Sequence, residues 1–217
     1  MRPAIDACIF DLDGTLLDTL DDLANAMNMV LRARGLAEHL ADAYRFFVGE
    51  GMETMVRRAA PEGTGDAVLA SMVPDFRDAY AKSWADKTRP YPGIEAMLDA
   101  LSGRHVPFAV LSNKPHEFTR LMIRHFFPGA AFTAVLGSPR GGKAKPAPAM
   151  ALGLARDFGV RPDRVLFLGD SSIDMDTARN AGMVPAGALW GFRPASELSG
   201  HGAAILLQSP GELLSHL

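Results

Sequence analysis

The chain has 217 residues, 48% of them apolar, and a net charge of −3. That composition supports a sizeable core and argues against disorder, and the length suits one core domain with a modest insertion. The nearly balanced charge argues against a nucleic-acid groove or an anionic membrane surface, so neither nucleic acid nor membrane is expected as a partner.

Taken in chain order, Ala4 to Phe10 is short and mostly apolar, as suits a buried strand of a parallel sheet. The run ends at once in Asp11. Neither a signal peptide nor a membrane span is expected there, and a reduced, cytoplasmic setting follows as the default. The one cysteine, Cys8, sits inside the run and is expected as a buried strand residue. Thr19-x-x-Asp22 has the pattern of a capping box. After it Leu20, Leu23, Met27, Val30 and Leu31 mark one face of a helix that stops at Gly35. A second helix is expected from Met52 to Ala60. Val68, Met72, Phe76, Tyr80 and Trp84 suggest a third, kinked or split at Pro74.

The pattern changes at the turn cluster Arg89-Pro90-Tyr91-Pro92-Gly93. Helices are expected around Ile94–Leu101, from Pro115 to Phe126, from Pro146 to Phe158, from Ser172 to Ala181 and from Pro210 to Leu214. Between them Val106–Leu111, Phe132–Leu136, Val165–Leu168, Val184–Leu189 and Ala203–Leu207 are expected strands. This alternation predicts an α/β fold: a Rossmann-like, mostly parallel sheet with helices on both faces. Residues 18–87 contain no strand pattern and are expected as an inserted all-helical cap, leaving a discontinuous core of 1–17 and 88–217.

Sheets of this kind bind ligands at the carboxyl ends of their strands. The first strand ends in Asp11-Leu12-Asp13-Gly14-Thr15, the next core strand in Ser112-Asn113-Lys114-Pro115, and a later one in Gly169-Asp170-Ser171-Ser172-Ile173-Asp174. Lys145 precedes a Pro-Ala-Pro that opens a helix. Asp11, Asp13, Asp170 and Asp174 crowded together repel, so a cation must sit among them or their pKa values must rise. An all-oxygen acidic pocket suits Mg²⁺. The six histidines have no zinc spacing.

These motifs, in this order, resemble those of the haloacid dehalogenase superfamily of phosphatases. Asp11-x-Asp13-Gly14-Thr15 is similar to the first motif, Ser112 to the second, Lys145 to the third, and Asp170 with Asp174 to the fourth. Arg89-Pro90-Tyr91-Pro92-Gly93, Ser112-Asn113-Lys114-Pro115 and Val48-Gly49-Glu50-Gly51 resemble the phosphoglycolate phosphatase branch. The resemblance implies a Mg²⁺-dependent phosphate monoester hydrolase acting on 2-phosphoglycolate or a similar small phosphorylated metabolite. It implies Asp11 as nucleophile, forming an aspartyl phosphate, and Asp13 as acid and then base. Asp11, the Asp13 main-chain carbonyl and Asp170 would take the metal, with Asp174 helping directly or through water. Ser112 and nearby backbone amides would hold phosphate oxygens, and Lys145 would offset charge on Asp11 and the phosphoryl group. The α-helix near Ser172 would turn its positive end to the same place. Thr15, Asn113, Arg45 and Gly49 complete the expected substrate-binding set.

Each part has a plainer reading. Asp and Gly favour turns, Ser112 caps helices as serines do, Lys145 is solvated as most lysines are, and Asp170 with Asp174 stabilises a helix start. Their order at successive strand ends favours the chemical reading. Gly137-x-x-x-x-Gly142-Lys143 resembles a nucleotide-binding loop, but Ala144 stands where a hydroxyl is needed and Pro139 lacks an amide. It is read as a loop that delivers Lys145. Arg45, Arg57 and Arg58 in the cap are candidates for a substrate carboxylate. Trp190-Gly191-Phe192 is expected to pack the core. Two other functions stay open: a phosphomutase of the same superfamily, and a non-enzymatic receiver-like module phosphorylated on Asp11. A monomer or homodimer is expected.

Overall fold

The structure is a computed structural model describing residues 4–138 and 144–217. Strand β1 (Ala7–Phe10) leads to a short strand β2 (Leu17–Asp18) and then to helices α1 (Leu20–Ala33), α2 (Met52–Ala59) and α3 (Asp66–Ser83). The chain returns through β3 (Arg89–Pro90). From there α4 (Ile94–Gly103), β4 (Phe108–Pro115), α5 (His116–Phe126), β5 (Ala134–Ser138), α6 (Ala149–Phe158), β6 (Val165–Gly169), α7 (Ser172–Asn180), β7 (Val184–Ala188), α8 (Ala195–Gly200) and β8 (Ile205–Leu207) follow.

Six strands form one sheet in the order β5-β4-β1-β6-β7-β8, and every neighbouring pair is parallel. The alternation of β1 explains its all-apolar sequence. Cys8 and Phe10 face a cluster with Leu98, Leu101 and Met122 from α4 and α5. Ala7 and Ile9 face the opposite one, with Leu154 and Ala178 from α6 and α7. A strand buried on both faces needs no polar residue, and each large apolar side chain so buried contributes about 1.5–3 kcal/mol. Burial pushes the Cys8 thiol up to about 12, so it is an inert core residue.

The sheet order reverses at β1: the chain builds outward to β4 and β5 on one side, then to β6, β7 and β8 on the other. A crevice opens at such a reversal, beyond the carboxyl ends of the central strands. Those ends are Asp11 after β1, Ser112 within β4 and Asp170 after β6.

The helices of 18–87 pack on one another around Met27, Leu31, Tyr44, Val56, Met72, Phe76 and Tyr80. Two core rings, Phe118 and Phe192, join that cluster. Where the chain leaves and returns, β2 pairs antiparallel with β3, Leu17 opposite Pro90. The expected capping box at Thr19 does not form. Thr19 has φ −108° and ψ 2°, outside the extended cap conformation, and its Oγ1 has no hydrogen-bond partner among the described residues. Asp22 is drawn elsewhere: it is buried and accepts the Lys87 and Thr88 amides, at 3.0 and 2.8 Å, and the Thr88 hydroxyl, at 2.8 Å. One carboxylate therefore ties both crossings together.

Other differences are local. Helix α3 runs unbroken through Pro74, which lies on the exposed face, so water can meet the carbonyl left unpaired at Ala70. Leu69 rather than Val68 belongs to its buried stripe. Pro115 is the residue before α5, not its first turn, because β4 extends through Ser112-Asn113-Lys114-Pro115. Helix α6 starts at Ala149, after the proline run, and the last helix is a 3-10 segment, Pro210–His216. Helix α8 and the 3-10 segment Ala41–Phe46 were not foreseen. Of the nucleotide-loop pattern, Pro139, Gly142 and Lys143 lie outside the described residues. No described helix is long and apolar enough to cross a membrane.

Candidate active site

The strand ends bring the expected acids together. Asp11, Asp170 and Asp174 are all buried, and each offers a carboxylate oxygen within 4.8 Å of the others. Lys145 Nζ lies between two of them, 2.9 Å from Asp11 Oδ1 and 2.6 Å from Asp174 Oδ1. The Leu12 amide also donates to Asp11 Oδ1, at 2.7 Å. Burial raises the Asp11 carboxyl to about 7 against the pull of Lys145, with Asp174 adding to the rise. Asp170 is raised well above its ordinary range, by burial first and then by Asp174 and Asp11. Burial alone would lower the Lys145 pKa, but Asp11 and Asp174 outweigh it and hold the ammonium charged.

Asp170 is fixed from four sides. The Phe192 amide donates to Oδ2 at 2.7 Å and the Thr15 hydroxyl to Oδ1 at 3.3 Å. Gly14 and Gly191 press against it: a Cβ on Gly14 would fall 2.2 Å from Asp170 Oδ2, and one on Gly191 2.2 Å from Asp170 Cβ. Gly14 also has φ +82°, the left-handed region that favours glycine. Asp174 caps α7, its Oδ2 accepting the Ser171 amide at 3.1 Å and hydroxyl at 2.7 Å. The helix-capping reading of Asp174 and its place in the acidic cluster thus hold together.

A second buried pair was not anticipated. Lys114 Nζ lies 2.9 Å from Asp13 Oδ1, with the lysine side chain 3% exposed. The ammonium also sits 4.5 Å from the ring centre of Tyr80, on α3. Burial would lower its pKa, but Asp13 and then Tyr80 raise it above the usual lysine range. The sequence signal was present, since Lys114 is part of the strand-end run. Only the fold reveals that it faces Asp13 across 101 positions of chain.

Between the sheet edge and the helices lies a cavity of about 40 Å³. Its polar wall includes Asp11, Asp13, Ser112, Lys114 and Asp170. Its apolar wall includes Leu23, Met52, Met55, Phe76 and Phe192. Ser112 Oγ accepts the Lys114 amide at 3.2 Å, which leaves its own proton to donate. Asn113 and Gly49 also line the cavity, but the Asn113 side chain is committed elsewhere. Its Nδ2 donates to the Gly49 and Lys145 carbonyls, at 3.0 and 3.1 Å, and its Oδ1 accepts the Lys145 amide at 2.8 Å.

Four of the candidate ligand contacts stand apart from the cavity. Thr15 is fully buried behind Asp170. Arg45 pairs with Asp42 and donates to the Gly191 carbonyl. Arg57 pairs with Asp66 and Arg58 with Glu50, both away from the cavity lining. Arg193, not foreseen, does line it. Phe192 packs as expected and also forms cavity wall, while the Trp190 indole donates to the Thr15 carbonyl at 3.0 Å.

The donor set fits a hard divalent cation. Around the cluster, four carboxylates (Asp11, Asp13, Asp170, Asp174) face two lysines, Lys114 and Lys145. The remaining excess of negative charge is that of one divalent ion, and every carboxylate donor is an oxygen. The raised carboxyls of Asp11 and Asp170 are what such a cluster does without it.

Residues 8–188 match the model of the haloacid dehalogenase-like hydrolase family. A phosphoglycolate phosphatase from Pseudomonas putida is 34% identical over 214 residues, covering 96% of this chain and 76% of the relative. One from Aquifex aeolicus is 31% identical over 184 residues, covering 85% and 84%. A crystal structure from Lactobacillus delbrueckii subsp. bulgaricus matches with a TM-score of 0.90 at 31% identity, over 97% of each chain. With clustered buried carboxylates at the sheet reversal and relatives of this kind along nearly its whole length, the chain belongs to the haloacid dehalogenase-like hydrolase family and is a phosphatase.

Proposed function

We propose that the protein hydrolyses 2-phosphoglycolate or a similar small phosphate monoester through a phosphorylated Asp11, with Mg²⁺ as cofactor. The observation that carries this reading is the buried trio Asp11, Asp170 and Asp174, with Lys145 between two of them, at the sheet reversal. The names of the relatives support the substrate class.

In the first step an Asp11 carboxylate oxygen attacks phosphorus while the bond from phosphorus to the ester oxygen breaks. Asp13 gives its proton to that leaving oxygen, and Lys114 holds the carboxylate that remains. In the second step Asp13 takes a proton from water, the water oxygen attacks phosphorus, and the bond to Asp11 breaks. Ser112 Oγ donates to a phosphate oxygen. Lys145 opposes the rise in the Asp11 pKa and orients its carboxylate. Mg²⁺, held by the Asp11 and Asp170 carboxylates and the Asp13 carbonyl, would offset charge on the phosphoryl group. Asp174 would help hold the ion, directly or through a water, while it also accepts from Lys145 and Ser171.

Asn113 and Thr15 are assigned supporting rather than ligand roles, because their side chains are spent on Lys145, Gly49 and Asp170. The cap is assigned to 18–87 and the catalytic core to 1–17 and 88–217. The separate apolar cluster of the helices supports that division. Closure of the cap excludes bulk water.

The test is phosphate release from a panel of small esters, with and without Mg²⁺. Mg²⁺-dependent turnover that disappears in Asp11→Asn is expected. Substantial turnover by Asp11→Asn would end the covalent mechanism. Efficient turnover of nucleoside or sugar phosphates with none of 2-phosphoglycolate would end the substrate assignment.

A further inference from the structure

Two arginines join the helical insertion to the turn after β7, and they do so reciprocally. Arg45, from the insertion, donates through Nη1 to the Gly191 carbonyl at 3.2 Å, and its guanidinium lies 6.0 Å from the Phe192 ring centre. Arg193, from the core, donates through Nη2 to the Phe46 and Val48 carbonyls at 3.2 and 3.3 Å, and lies 5.1 Å from the Phe46 ring centre. Each side thus contributes one arginine, one aromatic face and backbone acceptors to the other.

The turn they grip also sets Asp170. The Phe192 amide donates to Asp170 Oδ2, and the Gly191 backbone lies too close to Asp170 Cβ to admit a side chain. A second line runs from Arg193 to Glu197, 3.7 Å away, whose Oε1 accepts the Ser172 amide at 3.1 Å. Ser172 opens α7, two residues after Asp170.

We infer that Arg45 and Arg193 are positioning residues: they clasp the insertion to the 190–193 turn, so that Asp170 is locked in place when the insertion closes. The inference rests on the proposed role of Asp170 in the reacting site. It gives Arg45 a task other than touching substrate, in keeping with its absence from the cavity wall. The physical link is short. If the insertion lifts, Gly191 loses a donor, Phe192 loses its packing in the helical cluster, and the Phe192 amide is freer to leave Asp170.

The test uses the full chain with Arg45→Gln, Arg193→Gln, and the corresponding lysine variants. Turnover is measured on 2-phosphoglycolate and on 2-hydroxyethyl phosphate, which lacks the carboxylate. Hydrogen exchange is followed at the Phe192 amide and, as an internal reference, at the Phe167 amide in β6. Each glutamine variant is expected to lower kcat/KM about tenfold on both esters, with a similar loss of protection at Phe192 and none at Phe167. The lysine variants, which keep a cation over the ring, are expected to recover part of both. A loss confined to the carboxylate ester would make Arg193 a substrate ligand and overturn the clasp. So would unchanged protection at Phe192, or an equal loss at Phe167, which marks global destabilisation. If the unaltered protein cleaved neither ester, the failure would belong to the proposed function instead.

Discussion

Gly14→Ala tests the packing of the site with a single methyl group. The new Cβ would lie 2.2 Å from Asp170 Oδ2, 2.6 Å from its Cγ and 2.9 Å from its Oδ1. Comfortable contact begins near about 3.5 Å, so the carboxylate must retreat by roughly 1 Å. It has nowhere to go without loss, because Oδ2 accepts the Phe192 amide and Gly191 lies directly against Asp170 Cβ. Alanine at φ +82° adds about 1–2 kcal/mol of backbone strain, and breaking a hydrogen bond to a charged acceptor adds about 1.5–3 kcal/mol. The expected destabilisation is about 3–5 kcal/mol by urea denaturation. A displacement of that size at a reacting centre lowers kcat by about a hundredfold, and Mg²⁺ binding measured by calorimetry should weaken with it. Gly35→Ala is the control: it has φ +66° but nothing within 4 Å of a new Cβ. It should lose about 1 kcal/mol of stability and keep full activity. Gly14→Ala with kcat and Mg²⁺ affinity within a factor of about two of the parent, or Gly35→Ala with the same loss, would refute the reasoning.

Three further outcomes follow from the buried charges. Lys145→Met leaves Asp11 and Asp174 facing each other without their shared cation; stability should fall by about 3–5 kcal/mol and phosphate release by about a hundredfold. Retention of the parent melting curve would count against the pairing. Asp22→Ala removes the acceptor for the Lys87 and Thr88 amides and should cost about 3 kcal/mol, read by denaturant titration, although Asp22 does not line the site cavity. Without divalent ions, stability should decline as pH rises. The Asp11 carboxyl binds a proton more tightly when folded (about 7) than when unfolded (3.8), so its contribution is complete below 3.8 and lost through 7. The upper bound is about 4 kcal/mol, and saturating Mg²⁺ should flatten the slope. A melting temperature that rises over that window in chelator would contradict the sign.

The sheet and its acidic rim were readable from the sequence because both are local signals. Each central strand is an apolar run, and its end is marked by Asp, Ser or Gly. The readable part stops where two distant segments meet. Lys114 looked like one letter of a strand-end run until the fold set it against Asp13. Asp22 matched a capping pattern, yet the amides it serves come from residues 87 and 88. Arg193 and Phe192 gave no periodic signal, since they act from a turn against the far ends of other elements. The strand pair of Leu17–Asp18 and Arg89–Pro90 is too short to leave a pattern. Cap arginines invited a ligand role by charge alone, but Arg57 and Arg58 are satisfied by neighbouring acids.

That small strand pair has an evolutionary reach larger than its size. Leu17 and Pro90 sit opposite each other, so about seventy residues depart and come back through a single doorway. Whatever is spliced between those two positions need not re-thread the sheet, and a tight hairpin would close the gap equally well. Insertions of different size and chemistry can therefore be exchanged there without re-threading the strands that carry the carboxylates.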